Sequence, residues 1–161
     1  MKKIWAPWRS KFICAGRQKK ACIFCRAAIS KDHKKNLIVD SSRYSFSMLN
    51  LYPYNNGHMM VAPKSHKPGL EQLSPAELTD IMGLLKKTIA LLRKTLFPEG
   101  FNIGINTGKA AGAGFPGHLH IHVVPRWTGD TNFMPVSSDT KVISESLEAL
   151  YCRLRKNVKK S

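Results

Sequence analysis

Apolar and polar residues follow two rhythms along this chain. Tyr44-Ser-Phe-Ser-Met-Leu-Asn-Leu51 changes character at every second position, the period of a strand with one buried face. The short apolar run Asn36-Leu-Ile-Val-Asp40 before it reads as a strand as well. Pro53-Tyr-Asn-Asn-Gly57 gathers residues that tolerate turn dihedrals. His58-Met-Met-Val-Ala62 then gives a third strand, stopped by Pro63. From Ser74 the period lengthens. Leu78, Ile81, Met82, Leu85, Ile89, Leu92 and Leu96 recur at steps of three and four and predict the apolar face of a helix. Ser74 suits its N-cap, Pro75 its first position and Glu77 the third position of a capping box; Pro98 and Gly100 end it.

Phe101-Asn-Ile-Gly-Ile-Asn106 reads as a fourth strand and His118-Leu-His-Ile-His-Val-Val-Pro125 as a fifth, joined by a small-residue loop from Gly108 to Gly117. A last amphipathic helix, near Lys141 to Lys156, is carried by Val142, Ile143, Leu147, Leu150 and Leu154. Short connections between strands two and three, and four and five, favour antiparallel pairing. The expected fold is therefore α+β: an antiparallel sheet of about five strands with one long helix and a C-terminal helix. The long helix covers one sheet face and leaves the other for chemistry.

Composition narrows the setting. A chain of 161 residues suits one domain, taken as residues 1–161. With 43% hydrophobic and 22% charged residues it is not a disordered chain. No stretch reaches the roughly 20 apolar residues of a membrane helix. Behind the basic start Met1-Lys-Lys there is no apolar core, so no secretory signal is read. Four cysteines without an export signal do not form a disulfide framework, and a reducing, cytoplasmic setting is expected.

Charge is uneven. Of the net +16, residues 1–35 carry +10, residues 151–161 carry +5, and the 115 residues between carry only +1. Such ends either steer the protein toward polyphosphate or nucleic acid, or are solvated termini; neither end contains a nucleic-acid motif.

His118, His120 and His122 are half of the six histidines. On a strand their rings share one face, about 6.5–7 Å apart, with Leu119, Ile121 and Val123 on the other. That spacing lines one anionic group with imidazoles, and imidazole is both a nucleophile and, once protonated, a donor. A metal-binding triad and structural histidines are the alternatives. Cys22-Ile-Phe-Cys25 is a C-x-x-C pair. A redox use wants a thioredoxin-like strand-to-helix context, which is not read here. A zinc use wants two more ligands, for which His66 and His118 are candidates. Cys14 and Cys152 read as ordinary thiols.

His118-Leu-His-Ile-His-Val-Val resembles the signature of the histidine triad (HIT) family. Asn50 to His66, Gly100 to Asn106 and Pro125 to Phe133 resemble further blocks of that family. Trp5-Ala-Pro-Trp-Arg9, with Arg126-Trp-Thr-Gly-Asp-Thr-Asn-Phe133, looks like the bacterial and archaeal branch that contains diadenosine polyphosphate phosphorylases. The resemblance implies a HIT-like fold, a homodimer, and nucleotidyl transfer in two displacements. His120 would attack the α-phosphorus, and water or inorganic phosphate would then release the nucleotide. It implies that His122 donates to phosphate oxygens, that His58 lies near the phosphates, that Asn50 holds the ribose hydroxyls and that Asn106 lies close to the phosphate. It also implies a closed structural zinc site made of Cys22, Cys25, His66 and His118. Relatives often carry Gln or Ser in the loop before the triad, where this chain has Gly112-Ala-Gly114-Phe-Pro-Gly117. Backbone amides around Gly114 to Gly117, with Lys109, would supply an anion pocket there. Phosphorolysis is the expected reaction. Hydrolysis of dinucleoside polyphosphates or nucleoside phosphoramidates, a nucleotide-binding regulatory module, and a nucleic-acid binder using the basic ends are the alternatives.

Overall fold

The computed structural model describes residues 21–131 and 143–158. The Trp5–Arg9 block, most of the basic N-terminal segment, Asn132, Phe133, Val142 and the last three residues lie outside the described residues. Five strands run β1 (Ile38–Ser41), β2 (Ser45–Leu49), β3 (Met59–Pro63), β4 (Gly100–Ile105) and β5 (Ile121–Arg126). They form one antiparallel sheet in the order β1-β2-β3-β5-β4. Among the described residues three α-helices accompany it: α1 (Ile23–Ile29), α2 (Pro75–Leu96) and α3 (Leu147–Val158).

Period-two alternation divides the sheet into two faces. Val39, Leu49, Met59, Val61, Ile121 and Val123 turn toward α2 and α3, meeting Ile81, Leu84, Leu92, Leu150 and Leu154. Ile38, Phe46, Met60 and Ala62 turn the other way and meet Phe24 and Ala27 of α1. His122 pairs with Met60 on β3 and with Gly104 on β4, so it belongs to this second face.

The N-terminus of α2 is built as its sequence predicts. Ser74 accepts from the Glu77 amide, and the Glu77 carboxylate accepts from the Ser74 amide. The buried stripe differs from the expected one. Leu78 and Met82 are 42% and 51% exposed, while Leu84, Thr88, Leu91 and Thr95 are buried. The threonines can be inside because their hydroxyls are bonded: Thr88 Oγ1 donates to Leu84 O, and Thr95 Oγ1 accepts from Asn157 Nδ2 of α3. Phe97, in the left-handed region, caps α2, and Gly100 already belongs to β4.

Three boundaries also shift. Pro63 is the last residue of β3 rather than a stop before it, because its ring sits at the strand end. β5 starts at Ile121, three residues after the predicted start. α3 begins at Leu147 and runs to Val158. Helix α1 was not predicted at all; Cys22 caps it, with Sγ accepting from the Cys25 amide. Among the described residues no helix is long and apolar enough to cross a membrane.

Candidate functional site

The second sheet face gathers five of the six histidines where β3, β5 and α1 meet. His118 and His120 lie just before β5, outside the ladder, which frees the His118 carbonyl for a side chain. His120 Nδ1 is 2.8 Å from that carbonyl. A carbonyl only accepts, so the ring carries its proton on Nδ1 and its lone pair on Nε2. The same reasoning runs from the turn that precedes β3. The Tyr54 amide donates to His58 Nδ1 at 3.0 Å, which puts the His58 proton on Nε2. His58 Nε2 then donates to His122 Nδ1 at 2.9 Å, leaving the His122 proton on Nε2. His120 and His122 meet edge to face, with ring centroids 4.9 Å apart. A lone pair on one ring thus stands beside an N–H on the next.

Burial favours the neutral form of His58 and of His120. It is the main cause that holds His58 down at about 3, with the charges of His122 and His120 adding to it. Burial also lowers His120, against the hydrogen bond to His118 O, which raises it. Asn50 Nδ2 lies 3.3 Å from His58 Nδ1, and its Oδ1 accepts from the Tyr52 amide. The Tyr54 ring packs on His58 and His122 at 4.5 and 5.7 Å.

A second group of donors adjoins the first. Cys22 Sγ lies 3.3 Å from His118 Nδ1, and Cys25 Sγ lies 3.2 Å from His66 Nδ1 and 3.6 Å from His118 Nδ1. The two Nδ1 atoms are 3.3 Å apart, and all four donor atoms fall within 4.8 Å of one another. A tetrahedral ion with metal–sulfur bonds of about 2.3 Å and metal–nitrogen bonds of about 2.0–2.1 Å spaces such donors by about 3.3–3.8 Å. The four distances just given lie close to that spacing. His118 Nε2 donates to Pro63 O at 2.9 Å, so Nδ1 presents a lone pair to the quartet. The segment carrying His66 is tied to α2: Ser65 Oγ and Lys67 Nζ, on either side of it, donate to Glu77 at 2.6 and 2.7 Å. Lys67 O in turn accepts from the Leu119 amide.

The other predicted residues lie on the connection between β4 and β5. Asn106 is half-buried just past β4, and Lys109 is exposed. The amides of Gly112 and Ala113 close turns inside the loop, on Lys109 O and Gly108 O. Gly114 is exposed, and Gly117 faces the His66 ring, so that a Cβ added there would stand 3.7 Å from its Nε2. No described bond joins Lys109 to the histidines. Arg126 is held in place by both oxygens of Asp130 and by Asn102. Sequence reasoning missed Phe24 and Tyr54. Phe24 is 1% exposed and stacks on His120 at 4.8 Å and 26°, and on His118 at 5.1 Å. Its signal was its place inside the C-x-x-C pair.

Comparison with known proteins supplies the family and the fold. Residues 31–129 match the model of the HIT domain. The AP-4-A phosphorylase of Mycobacterium tuberculosis is 35% identical over 155 residues, covering 91% of this chain and 79% of the relative. The asymmetrical bis(5'-nucleosyl)-tetraphosphatase of Schizosaccharomyces pombe is 36% identical over 89 residues, 55% of this chain and 48% of that one. Among solved structures, a Zn-bound histidine triad family protein of Mycobacterium smegmatis superimposes with a TM-score of 0.64 at 26% identity, over 87% of this chain and 94% of the other.

Proposed function

Since the chain belongs to the HIT domain family, we propose that it is a nucleotidyl transferase acting on dinucleoside polyphosphates, with inorganic phosphate as the favoured acceptor. The observation that carries this reading is the pair of tautomers: a lone pair on His120 Nε2 beside a proton on His122 Nε2. In the first step His120 Nε2 forms a bond to the α-phosphorus. The bond from that phosphorus to the bridging oxygen breaks, and its electron pair leaves with the oxygen as a nucleotide anion. His120 keeps its Nδ1 proton and bears the positive charge. His122 donates a hydrogen bond to a non-bridging oxygen as charge builds there. In the second step an acceptor oxygen bonds to phosphorus, and the electron pair of the N–P bond returns to Nε2. A phosphate dianion attacks without first losing a proton, whereas water has one to lose.

In this reading Asn50 takes the ribose hydroxyls, Asn106 lies by the phosphates, and His58 acts through His122. Lys109 and the backbone of Gly114 to Gly117 receive the phosphate acceptor; the exposed position of Lys109 lets its flexible side chain reach an anion. Cys22, Cys25, His66 and His118 hold a structural zinc. With four protein donors it has no open position, and it supplies rigidity rather than a step. Residues 1–161 act as one cytoplasmic domain. The chain pairs as a homodimer through β4, an edge strand whose Asn102, Ile103 and Gly104 are exposed, Ile103 by 46%. The name of the yeast relative favours a second reading, release by water.

The test is incubation with diadenosine tetraphosphate, with and without millimolar phosphate. ADP with ATP is expected when phosphate is present. AMP with ATP throughout would leave hydrolysis standing and end the phosphorylase reading. His120→Ala should retain less than a tenth of the activity; more would remove His120 as the nucleophile.

A further inference from the structure

Phe24 occupies a place that neither the metal quartet nor the phosphate chemistry explains. It sits between Cys22 and Cys25, so both ends of its short helical turn are fixed by donors of the quartet. Its ring lies flat against His120, with centroids 4.8 Å apart and planes at 26°. The edge of Phe115 meets it in a T-shaped contact at 6.2 Å. At 1% exposure, Phe24 is sealed from water. An aromatic face carries partial negative charge, and a cation within about 6 Å of its centroid is attracted to it, most strongly where water is excluded.

From this geometry we infer that Phe24 is a positioning residue that stabilises the cationic, phosphorus-bound ring of His120 through its aromatic face. The inference rests on the nucleotidyl-histidine reading. When His120 Nε2 bonds to phosphorus and the leaving oxygen departs with its electron pair, the ring still holds the proton on Nδ1 and becomes a cation. Two groups meet that cation. The His118 carbonyl accepts from Nδ1–H, and the Phe24 face covers the ring plane. Before attack the ring is neutral and gains only ordinary stacking, so the added attraction belongs to the charged state. Differential stabilisation of that kind lowers the barrier to forming the intermediate and leaves substrate binding unchanged.

The experiment replaces Phe24 with phenylalanines carrying one, two and five ring fluorines. These keep the shape of the ring while draining its face of negative charge. The readout is the rate at which nucleotidyl-protein forms in a single turnover with diadenosine tetraphosphate, followed by intact mass. The rate should fall stepwise with fluorination, by about tenfold across the series, with unchanged KM and metal content. Phe24→Leu should show the full loss. A rate that does not move across the fluorinated series would overturn the inference, and it would do so even if Phe24→Leu failed to fold. The two readings separate cleanly. His120→Ala that still forms nucleotidyl-protein removes His120 as the nucleophile; an inactive His120→Ala beside a flat fluorine series removes only the role of Phe24.

Discussion

His58 is fully enclosed and uncharged, and its part is to hand a proton direction to its neighbour. The Tyr54 amide fixes its tautomer, and its tautomer fixes that of His122. His58→Ala should therefore lower kcat by about tenfold to a hundredfold, because His122 Nδ1 loses the donor that keeps the proton on Nε2. Metal content should stay at the wild-type level. Steady-state kinetics beside elemental analysis checks this, and an undiminished kcat would sink the relay. Much of this site could be read from the chain. Three histidines at alternate positions share a face by the geometry of extended backbone alone, and the irregular start of β5 does not disturb that. Phe24 and Tyr54 could not be read. Phe24 meets His120 across 96 positions and Tyr54 meets His122 across 68, and local pattern says nothing about contacts of that span.

Among the elements, α2 shows most plainly what sequence does and does not specify. Its cap was legible because every partner lies within three residues. Its buried stripe was not, since periodicity accepts several overlapping stripes and cannot foresee that Thr88 and Thr95 find bonds inside. The cap also reaches beyond the helix. Lys67, then Ser65 and Ser74, hold the Glu77 carboxyl down at about 2, below its ordinary 4.5, and Ser65 and Lys67 flank His66. A carboxyl lowered by folding stabilises the fold above its unfolded value, and that contribution is lost as pH falls toward the folded value. Glu77→Gln should thus have a lower urea midpoint than wild type at pH 6. The gap should narrow below pH 4.5 and close near pH 2. Paired denaturation curves across that range test it; a gap that persists at pH 2 would point to packing instead of charge.

At the scale of the whole molecule, the quartet joins three stretches far apart in the chain: the start of α1, the segment after β3 and the start of the triad. One zinc per chain is the expected content of metal-replete protein. Cys22→Ser with Cys25→Ser should abolish it and lower Tm, because metal binding and folding are coupled. Elemental analysis and a thermal melt, with and without a strong chelator, check both; zinc-free protein that melts unchanged would refute the site. The alternation that separates the two faces of the sheet has a further consequence, for insertions and deletions. Between His118 and Val123, one residue added or removed would exchange the faces outright, sending imidazoles under the helices and Ile121 and Val123 out to the site. Damage there is set by parity: a single-codon change abolishes fold and chemistry together, while a two-codon change returns every side chain to its own face.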